Sequence, residues 1–213
     1  MILEVKNVTF YYHRRRKRPI LDQVSLTIHP GERVGLTAPS GRGKTTLCRL
    51  MAGYEYPRRG EVLLDGRPVA GYQGVCPVQM LWQHPEMAVD PLLRLGETLK
   101  ESGMDGSEQK ERMEQLGIHQ EWLRRFPSEL SGGELQRFCL VRALRPGVQF
   151  LLCDEISAML DLATQARIWN VLLEEAERRG LGLLIVSHDE ALLERVCTRQ
   201  ASLSKLQSGI LCD

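Results

Sequence analysis

The segment from Arg33 to Thr45 restricts the possible folds of this chain more than any other part of it. The segment begins with a short apolar run, continues through a loop with two glycines, and ends where a helical pattern starts. Residues 38–45 read Ala-Pro-Ser-Gly-Arg-Gly-Lys-Thr and match the phosphate-binding pattern G-x-x-x-x-G-K-[ST] at Gly43, Lys44 and Thr45. A plain glycine turn before a helix is the alternative interpretation. The segment predicts an α/β fold with a phosphate-binding loop.

Backbone N–H groups of such a loop converge on phosphate oxygens, and the helix that follows adds a favourable dipole. The loop residues expected to bind a nucleotide are Ser40, Gly41, Gly43, Lys44, Thr45 and Thr46. Lys44 would reach the β- and γ-phosphates, and the Thr45 hydroxyl would bind Mg²⁺. Ala38 stands where the pattern has its first glycine, and alanine does not readily adopt a left-handed backbone. We therefore expect a slightly altered loop entrance with phosphate binding retained.

Apolar periodicity divides the rest of the chain into strands and helices. Alternating apolar residues between Leu3 and Ile28 predict antiparallel strands. We interpret the basic run His13 to Arg18 between them as a solvated hairpin tip, with a phosphate-binding patch as the alternative. Later apolar runs alternate with helices, which predicts a mainly parallel sheet covered on both faces. Residues 1–213 are interpreted as one domain that has an antiparallel N-terminal β-subdomain and a helical subdomain at about 86–146.

Two acidic residues, Asp154 and Glu155, end the apolar run that begins at Phe150. An aspartate at the end of a buried strand is placed to hold Mg²⁺ through water. Glu155 could polarise an attacking water molecule. The alternative interpretation is that both are solvated carboxylates at a strand end. The presence of a phosphate loop makes this alternative the minor one.

Residues 130–137 read Leu-Ser-Gly-Gly-Glu-Leu-Gln-Arg. Ser131 and Glu134 have the spacing of a capping box that begins a helix. A cap does not explain the consecutive glycines Gly132 and Gly133, because glycine at a helix start loses more backbone entropy than other residues. Close approach to an anion does explain them.

With this segment the chain resembles the ATPase cassettes of ABC transporters, over about residues 2–210. In that family LSGGQ is the signature sequence, of which LSGGE is a variant. The resemblance implies that Tyr12 stacks on adenine, with Tyr11 as the neighbouring candidate. It also implies that Gln83 senses Mg²⁺ and faces a membrane partner, and that His188 contacts the γ-phosphate. Alone, Gln83 would be a surface amide and His188 an ordinary histidine at a strand end.

The resemblance assigns the remaining roles as follows. The catalytic residues would be Glu155, His188 and Lys44, and the metal would be held by Thr45, Gln83 and Asp154. The D-loop of the family corresponds to the sequence Ala-Met-Leu-Asp that ends at Asp161, although Asp161 alone would be a helix N-cap. ATP would lie between the phosphate loop of one cassette and the signature of a second. Ser131, Gly132, Gly133 and Glu134 would therefore act on the ATP of the partner.

The partners implied by the resemblance are transmembrane permease subunits, a second cassette and, indirectly, an extracytoplasmic binding protein. A second cassette of different sequence is favoured over a homodimer. The chain has 28 Lys and Arg against 27 Asp and Glu, so no basic excess indicates a nucleic-acid partner. No apolar stretch of about 18 residues occurs, and Glu4 and Lys6 argue against a signal peptide. We expect a cytoplasmic protein, peripheral on the inner face of the cell membrane.

Several stretches, among them Phe-Pro-Ser-Glu-Leu-Ser-Gly-Gly-Glu-Leu-Gln-Arg, are similar to the ATPases of peptide and nickel importers. The chain ends at Asp213 without the longer tail usual in that group, which favours nickel or a metal chelate over a peptide. A non-transport ABC ATPase is the alternative class. A cassette that binds ATP with weak hydrolysis is a further alternative, because of Ala38 and Glu134.

Overall fold

The computed structural model describes residues 1–12, 19–158 and 160–207. The strands within these residues are β1 (Leu3–Phe10), β2 (Leu21–Ile28), β3 (Arg33–Thr37), β4 (Arg59–Leu64), β5 (Arg67–Pro68), β6 (Val78–Leu81), β7 (Phe150–Asp154), β8 (Gly182–Val186) and β9 (Arg199–Ser202). The α-helices are α1 (Lys44–Met51), α2 (Leu95–Lys100), α3 (Gly106–Gln115), α4 (Gly132–Ala143), α5 (Leu162–Arg179), α6 (Glu190–Val196) and α7 (Leu203–Gln207). Short 3-10 helices lie at Pro85–Ala88, Gln120–Arg124 and Pro127–Glu129.

Four strands form an antiparallel sheet in the order β2-β1-β4-β5. The alternation of apolar residues produces it, because Leu3, Val5, Val8 and Phe10 all point to the buried face of β1. This confirms the antiparallel strands predicted from the sequence. The basic run from His13 to Arg18 lies outside the described residues.

The other five strands are parallel, in the order β6-β7-β8-β3-β9. Every residue of β7 and β8 is buried, as expected for central strands of a sheet covered on both faces. Residues 75–82 are mostly apolar, but the strand β6 within them begins only at Val78. Pro77 precedes it and has no N–H to give to a strand ladder.

Two apolar clusters cover the two faces of the parallel sheet. One contains α1 and the antiparallel sheet, with Leu47 and Phe10 packed near Leu152. The other contains the helices between residues 95 and 143 together with α5, and includes Phe138 and Leu151. The segment at about 86–146 therefore consists of helices and turns that share their core with one face of the sheet. Within the described ranges, no helix has the length and hydropathy that a membrane crossing requires.

The cysteines of the described chain are free thiols. Cys48, Cys139 and Cys153 are buried, and burial raises the pKa of Cys139 to about 12. These three residues are therefore core side chains. Cys212 lies outside the described residues.

Candidate nucleotide-binding site

The carboxyl ends of neighbouring parallel strands place the site residues at one edge of the sheet. The phosphate loop follows β3, Asp154 ends β7, and His188 comes just after β8. In parallel sheets, ligands bind at this edge, where the connections after the strands meet.

The backbone of the phosphate loop depends on its glycines. Gly41 has φ +73° and Gly43 has φ +101°. A Cβ atom at Gly43 would also lie 2.9 Å from side-chain atoms of both Ile20 and Leu21. Ala38 is not among the described residues with positive φ, so alanine fits there without left-handed strain. The backbone conformation of Ala38 therefore gives no reason to expect an altered loop entrance.

A cavity of about 410 Å³ opens above the loop and the start of α1. Its lining residues are Tyr12, Ile20, Ser40, Gly41, Gly43, Lys44, Thr45, Thr46, Gln83 and Glu155. Nine of these ten were predicted from the sequence, and Ile20 was not. Ile20 is an apolar residue just before a strand, and only its packing against Gly43 marks it.

Lys44 is buried, although its ammonium group is charged. Its Nζ donates to the carbonyl oxygen of Ala38 at 2.8 Å. It also lies 3.2 Å from Nε2 of His188 and 3.8 Å from Oε1 of Glu155. The ammonium is thus held at the mouth of the loop, where an anion can replace one of these neighbours.

Glu155 is the meeting point of this network. Its Oε1 lies 3.0 Å from Nε2 of His188, and its Oε2 accepts a hydrogen bond from Nε2 of Gln83 at 3.2 Å. Its backbone has φ +50°, in the left-handed region that is unfavourable for non-glycine residues. The structure therefore brings together Lys44, Gln83, Glu155 and His188, which are far apart in the sequence.

Asp154 lies beneath this network at 2% exposure. Burial raises the pKa of its carboxyl group, while a hydrogen bond from the Thr45 hydroxyl acts in the opposite direction. Its Oδ1 is buried and has no hydrogen-bond partner in the described part of the chain. An orphaned carboxylate oxygen beside a hydroxyl oxygen is a donor set that fits Mg²⁺.

Tyr12 rather than Tyr11 lines the cavity. Its hydroxyl lies 3.3 Å from Oγ1 of Thr46, and its ring packs edge-on against Phe10. Arg58 instead lies over the ring of Tyr11, 5.7 Å from its centroid. Of the two tyrosines, Tyr12 is therefore placed to contact a bound base.

The signature residues do not line the nucleotide cavity of their own chain. Ser131, Gly132 and Gly133 line a second cavity of about 450 Å³. Among the described residues, no atom lies within 4 Å of a Cβ built on Gly132, so local packing does not require glycine there. The close approach of an anion to these glycines stays a prediction.

Glu134, which is half-buried, and Asp161, which is exposed, are helix-capping residues. Ser131 N–H donates to the Glu134 carboxylate at 2.7 Å, and Glu134 N–H donates to Oγ of Ser131 at 3.3 Å. Asp161 caps α5 by accepting from the N–H and hydroxyl of Thr164. These hydrogen bonds lower the pKa of both carboxyl groups. Glu134 and Asp161 lie outside the nucleotide cavity, so the structure does not group them with the phosphate loop.

Comparison with known proteins identifies the family. The model of the family described as ABC transporter matches residues 21–158. A nickel import ATP-binding protein of Rhodospirillum rubrum is 34% identical over 201 residues, which cover 87% of this chain and 73% of that protein. A protein of Brucella abortus named as a peptide import ATP-binding protein is 36% identical, over 86% of this chain and 60% of its own length. The chain belongs to the ABC transporter family.

A solved structure agrees with this assignment. The dimeric structure of an ATP-binding cassette in a post-hydrolysis state, bound to ADP and phosphate, has a TM-score of 0.81 and 26% identity to this chain. The match covers 94% of this chain and 93% of the cassette. The predicted fold class, an α/β P-loop cassette with a parallel and an antiparallel sheet, is confirmed. So is the predicted class of activity, since the chain is an ATP-hydrolysing subunit of the importer group.

Proposed function

We propose that the chain hydrolyses ATP in the cavity above the phosphate loop and thereby powers import through a membrane transporter. The observation that carries the site assignment is the convergence of Lys44, His188 and Glu155 at the mouth of that cavity. Two nitrogen groups and one carboxylate within 4 Å of one another are components that phosphate transfer to water uses.

The loop N–H groups and the N-terminus of α1 bind the phosphates, and Tyr12 contacts the base. Lys44 and His188 hold the γ-phosphate when it takes the place that Glu155 Oε1 occupies beside them. Glu155 then accepts a proton from a water molecule, whose oxygen attacks the γ-phosphorus as the bond to the β-phosphate oxygen breaks. The products are ADP and inorganic phosphate.

Thr45, Asp154 and Gln83 would hold Mg²⁺ with ATP. The support is the buried, orphaned Oδ1 of Asp154 beside the Thr45 hydroxyl. When bound, the ion neutralises charge on the phosphates. Asp154 is fixed at the end of β7, so the protein positions this ligand before the nucleotide arrives.

A second cassette, identical or different, would supply its signature to this ATP, and this chain would supply Ser131, Gly132, Gly133 and Glu134 in return. The support is that Ser131, Gly132 and Gly133 line a cavity other than the nucleotide cavity of their own chain. The open space around Gly132 leaves room for a phosphate that comes from the partner.

The permease subunits would contact the surface beside Gln83. In the segment that follows, Met87 is 63% exposed and Leu92 is 83% exposed, so this surface offers apolar side chains to a partner. This would place the chain in the cytoplasm, at the inner face of the membrane. By similarity to the relatives, the cargo is nickel, a metal chelate or a peptide, delivered by an extracytoplasmic binding protein. The balanced charge favours no nucleic-acid partner.

Lys44→Ala tests the phosphate loop. We expect ATP affinity to fall at least about tenfold, because a charged hydrogen-bond donor to phosphate is lost. Fluorescent-nucleotide titration and phosphate release measure binding and turnover. Lys110→Ala, at a lysine with 67% side-chain exposure on α3, is the matched control and should leave both unchanged. Equal affinity of Lys44→Ala and the parent chain would contradict the assigned site.

Co-purification of the tagged chain from its native membranes tests the transport assignment. We expect permease subunits and a second cassette in the purified complex. A chain that hydrolyses ATP but copurifies with ribosomes or DNA would support the non-transport alternative. Binding of ATP without measurable phosphate release in the intact complex would support the weakly hydrolysing alternative.

A further inference from the structure

Two arginine side chains meet at the turn that follows α3, and neither of them lines the nucleotide cavity. Arg137 lies on α4, and Arg167 lies on α5. A Cβ atom built on Gly117 in that turn would overlap Nη1 of Arg167 and would lie 3.1 Å from Nη1 of Arg137. Both guanidinium groups therefore border the space beside Gly117 that a side chain would fill, and they are close neighbours of each other.

Arg137 is held in this position by the backbone and by an aromatic ring. Its Nη1 donates to the carbonyl oxygens of Leu116 and Gly117 at 2.9 and 3.0 Å. Its Nε donates to the carbonyl oxygen of Gly133 at 3.4 Å. Its Cζ lies 5.2 Å from the centre of the Trp122 ring. Arg137 cannot turn away from Arg167 without losing these contacts, and none of them carries a full negative charge.

Within the described residues, neither guanidinium group forms an ion pair with a carboxylate. Glu134 and Asp161 are near enough to act on Arg137 electrostatically, but their oxygens accept the hydrogen bonds of the helix caps. Burial and the charge of Arg167 together lower the pKa of Arg137, so the two carboxylates do not neutralise the pair. Like charges at such short range oppose folding unless an anion joins them.

We propose that Arg137 and Arg167 form an oxyanion site that binds a phosphate-class dianion beside Gly117. In the described chain, Nη2 of Arg137 and the guanidinium nitrogens of Arg167 form no hydrogen bond, so these donors are available to a ligand. Planar guanidinium groups match the oxygens of phosphate, and two positive charges match a dianion. Arg137 is half-buried and Arg167 is exposed, so a small anion can enter from solvent. The bound anion joins α4 to α5.

Titration of the full chain with inorganic phosphate tests this site. The titration is made in the variant Lys44→Ala, which weakens binding of the same anion at the phosphate loop, and chloride keeps the ionic strength constant. We expect the NMR signals of the Nε–H groups of Arg137 and Arg167 to shift together and to reach saturation. The thermal midpoint should rise with phosphate concentration, because the anion binds only the folded chain. Signals that do not respond, or that respond equally to chloride, would overturn the proposal.

Arg167→Gln, added to the same background, removes one of the two charges. Phosphate affinity should fall at least about tenfold, the loss expected for a charged hydrogen bond. The thermal midpoint in phosphate-free buffer should equal or exceed that of the background chain, because the like-charge contact is gone. Arg195→Gln, at an exposed arginine of α6, is the matched control and should leave phosphate affinity unchanged. Unchanged affinity of Arg167→Gln, or an equal loss in Arg195→Gln, would contradict the assigned site.

Arg167→Glu replaces the second charge by one of opposite sign. The new carboxylate should pair with Arg137, so the thermal midpoint in phosphate-free buffer should exceed that of Arg167→Gln, and the response to phosphate should disappear. A midpoint below that of Arg167→Gln, or a retained response, would show that the two side chains do not form one site. The test is independent of ATP hydrolysis, because the phosphate loop is disabled in every chain compared.

Discussion

Glu155 and Asp154 are adjacent residues with two different kinds of unfavourable environment. Glu155 has a left-handed backbone, and Asp154 has a buried carboxylate oxygen without a partner in the described chain. Each is expected to be offset by a function, because packing alone gives neither an advantage. At the carboxyl end of β7, the fold therefore places two acidic residues beside the phosphate loop at a cost in stability.

Asp154→Asn should stabilise the nucleotide-free chain. Burial raises the pKa of this carboxyl, so its charged form opposes folding, by about 1 kcal/mol for each unit of pKa. The uncharged amide can still accept from the Thr45 hydroxyl. We expect a higher thermal midpoint at pH 7 and a smaller further gain in stability when Mg²⁺ and ATP are added. Thermal unfolding with and without the nucleotide measures both, and a lower midpoint for the nucleotide-free variant would contradict this account.

Site residues within local patterns were predictable from the sequence, but the contacts between distant residues were not. Gly43, Lys44 and Thr45 carry a spacing that has a physical meaning by itself. The contacts that join Glu155 to His188 and Gln83 depend on which strands are neighbours, and no local pattern specifies that.

At the scale of elements, the N-terminus of α4 combines a structural cap with a proposed contact to the ATP of the second cassette. Ser131→Ala removes the hydroxyl that accepts from Glu134 N–H, which should destabilise the chain by about 1 kcal/mol. It should also weaken ATP-dependent association. Calorimetry measures the loss of stability, and sedimentation velocity measures the loss of association. Asp105→Ala removes the exposed cap of α3 and should reduce stability only. Equal effects of the two variants on association would reduce the role of Ser131 to capping.

The strands themselves were predicted more completely than their arrangement. Apolar alternation defined β1 and β2, and continuous apolar runs defined β7 and β8. Their order in the sheet places β3 between β8 and β9, although β3 is distant from both in sequence. That order follows from burial of both faces of the sheet, a property of the whole chain rather than of any segment.

At the scale of the molecule, a buried ion pair joins α3 of the helical segment to α5. Nη1 of Arg112 lies 2.7 Å from Oε1 of Glu175, and both side chains are 5% exposed. Burial raises the pKa of Glu175, but hydrogen bonds from Arg178 and Arg112 outweigh it, so the pKa is lowered overall. This pair links the helical segment, which also contains the signature, to α5.

Glu175→Gln should destabilise the chain by about 3 kcal/mol at pH 7, because it removes the nearer counter-charge of the buried Arg112 and leaves it Glu108 at 4.0 Å. A lowered folded pKa means that the contribution of Glu175 is present above its unfolded pKa of about 4.3 and is lost as pH falls through the folded value. The difference between parent and variant should therefore shrink in acid. Urea unfolding at several pH values measures this. Glu114→Gln, in an exposed pair with Lys110, should change stability by less than about 0.5 kcal/mol.

The assembly of the whole molecule should depend on nucleotide. In the proposed assembly ATP bridges two cassettes, so we expect the purified chain to be mostly monomeric without ATP. Glu155→Gln keeps Lys44 and the phosphate loop intact but removes the proton acceptor, so ATP should bind, turnover should fall at least about a hundredfold, and a dimer should accumulate. Size-exclusion chromatography with light scattering and phosphate-release assays measure these outcomes. Turnover near that of the parent chain would show that Glu155 is not the general base, and a dimer that persists without nucleotide would separate assembly from ATP binding.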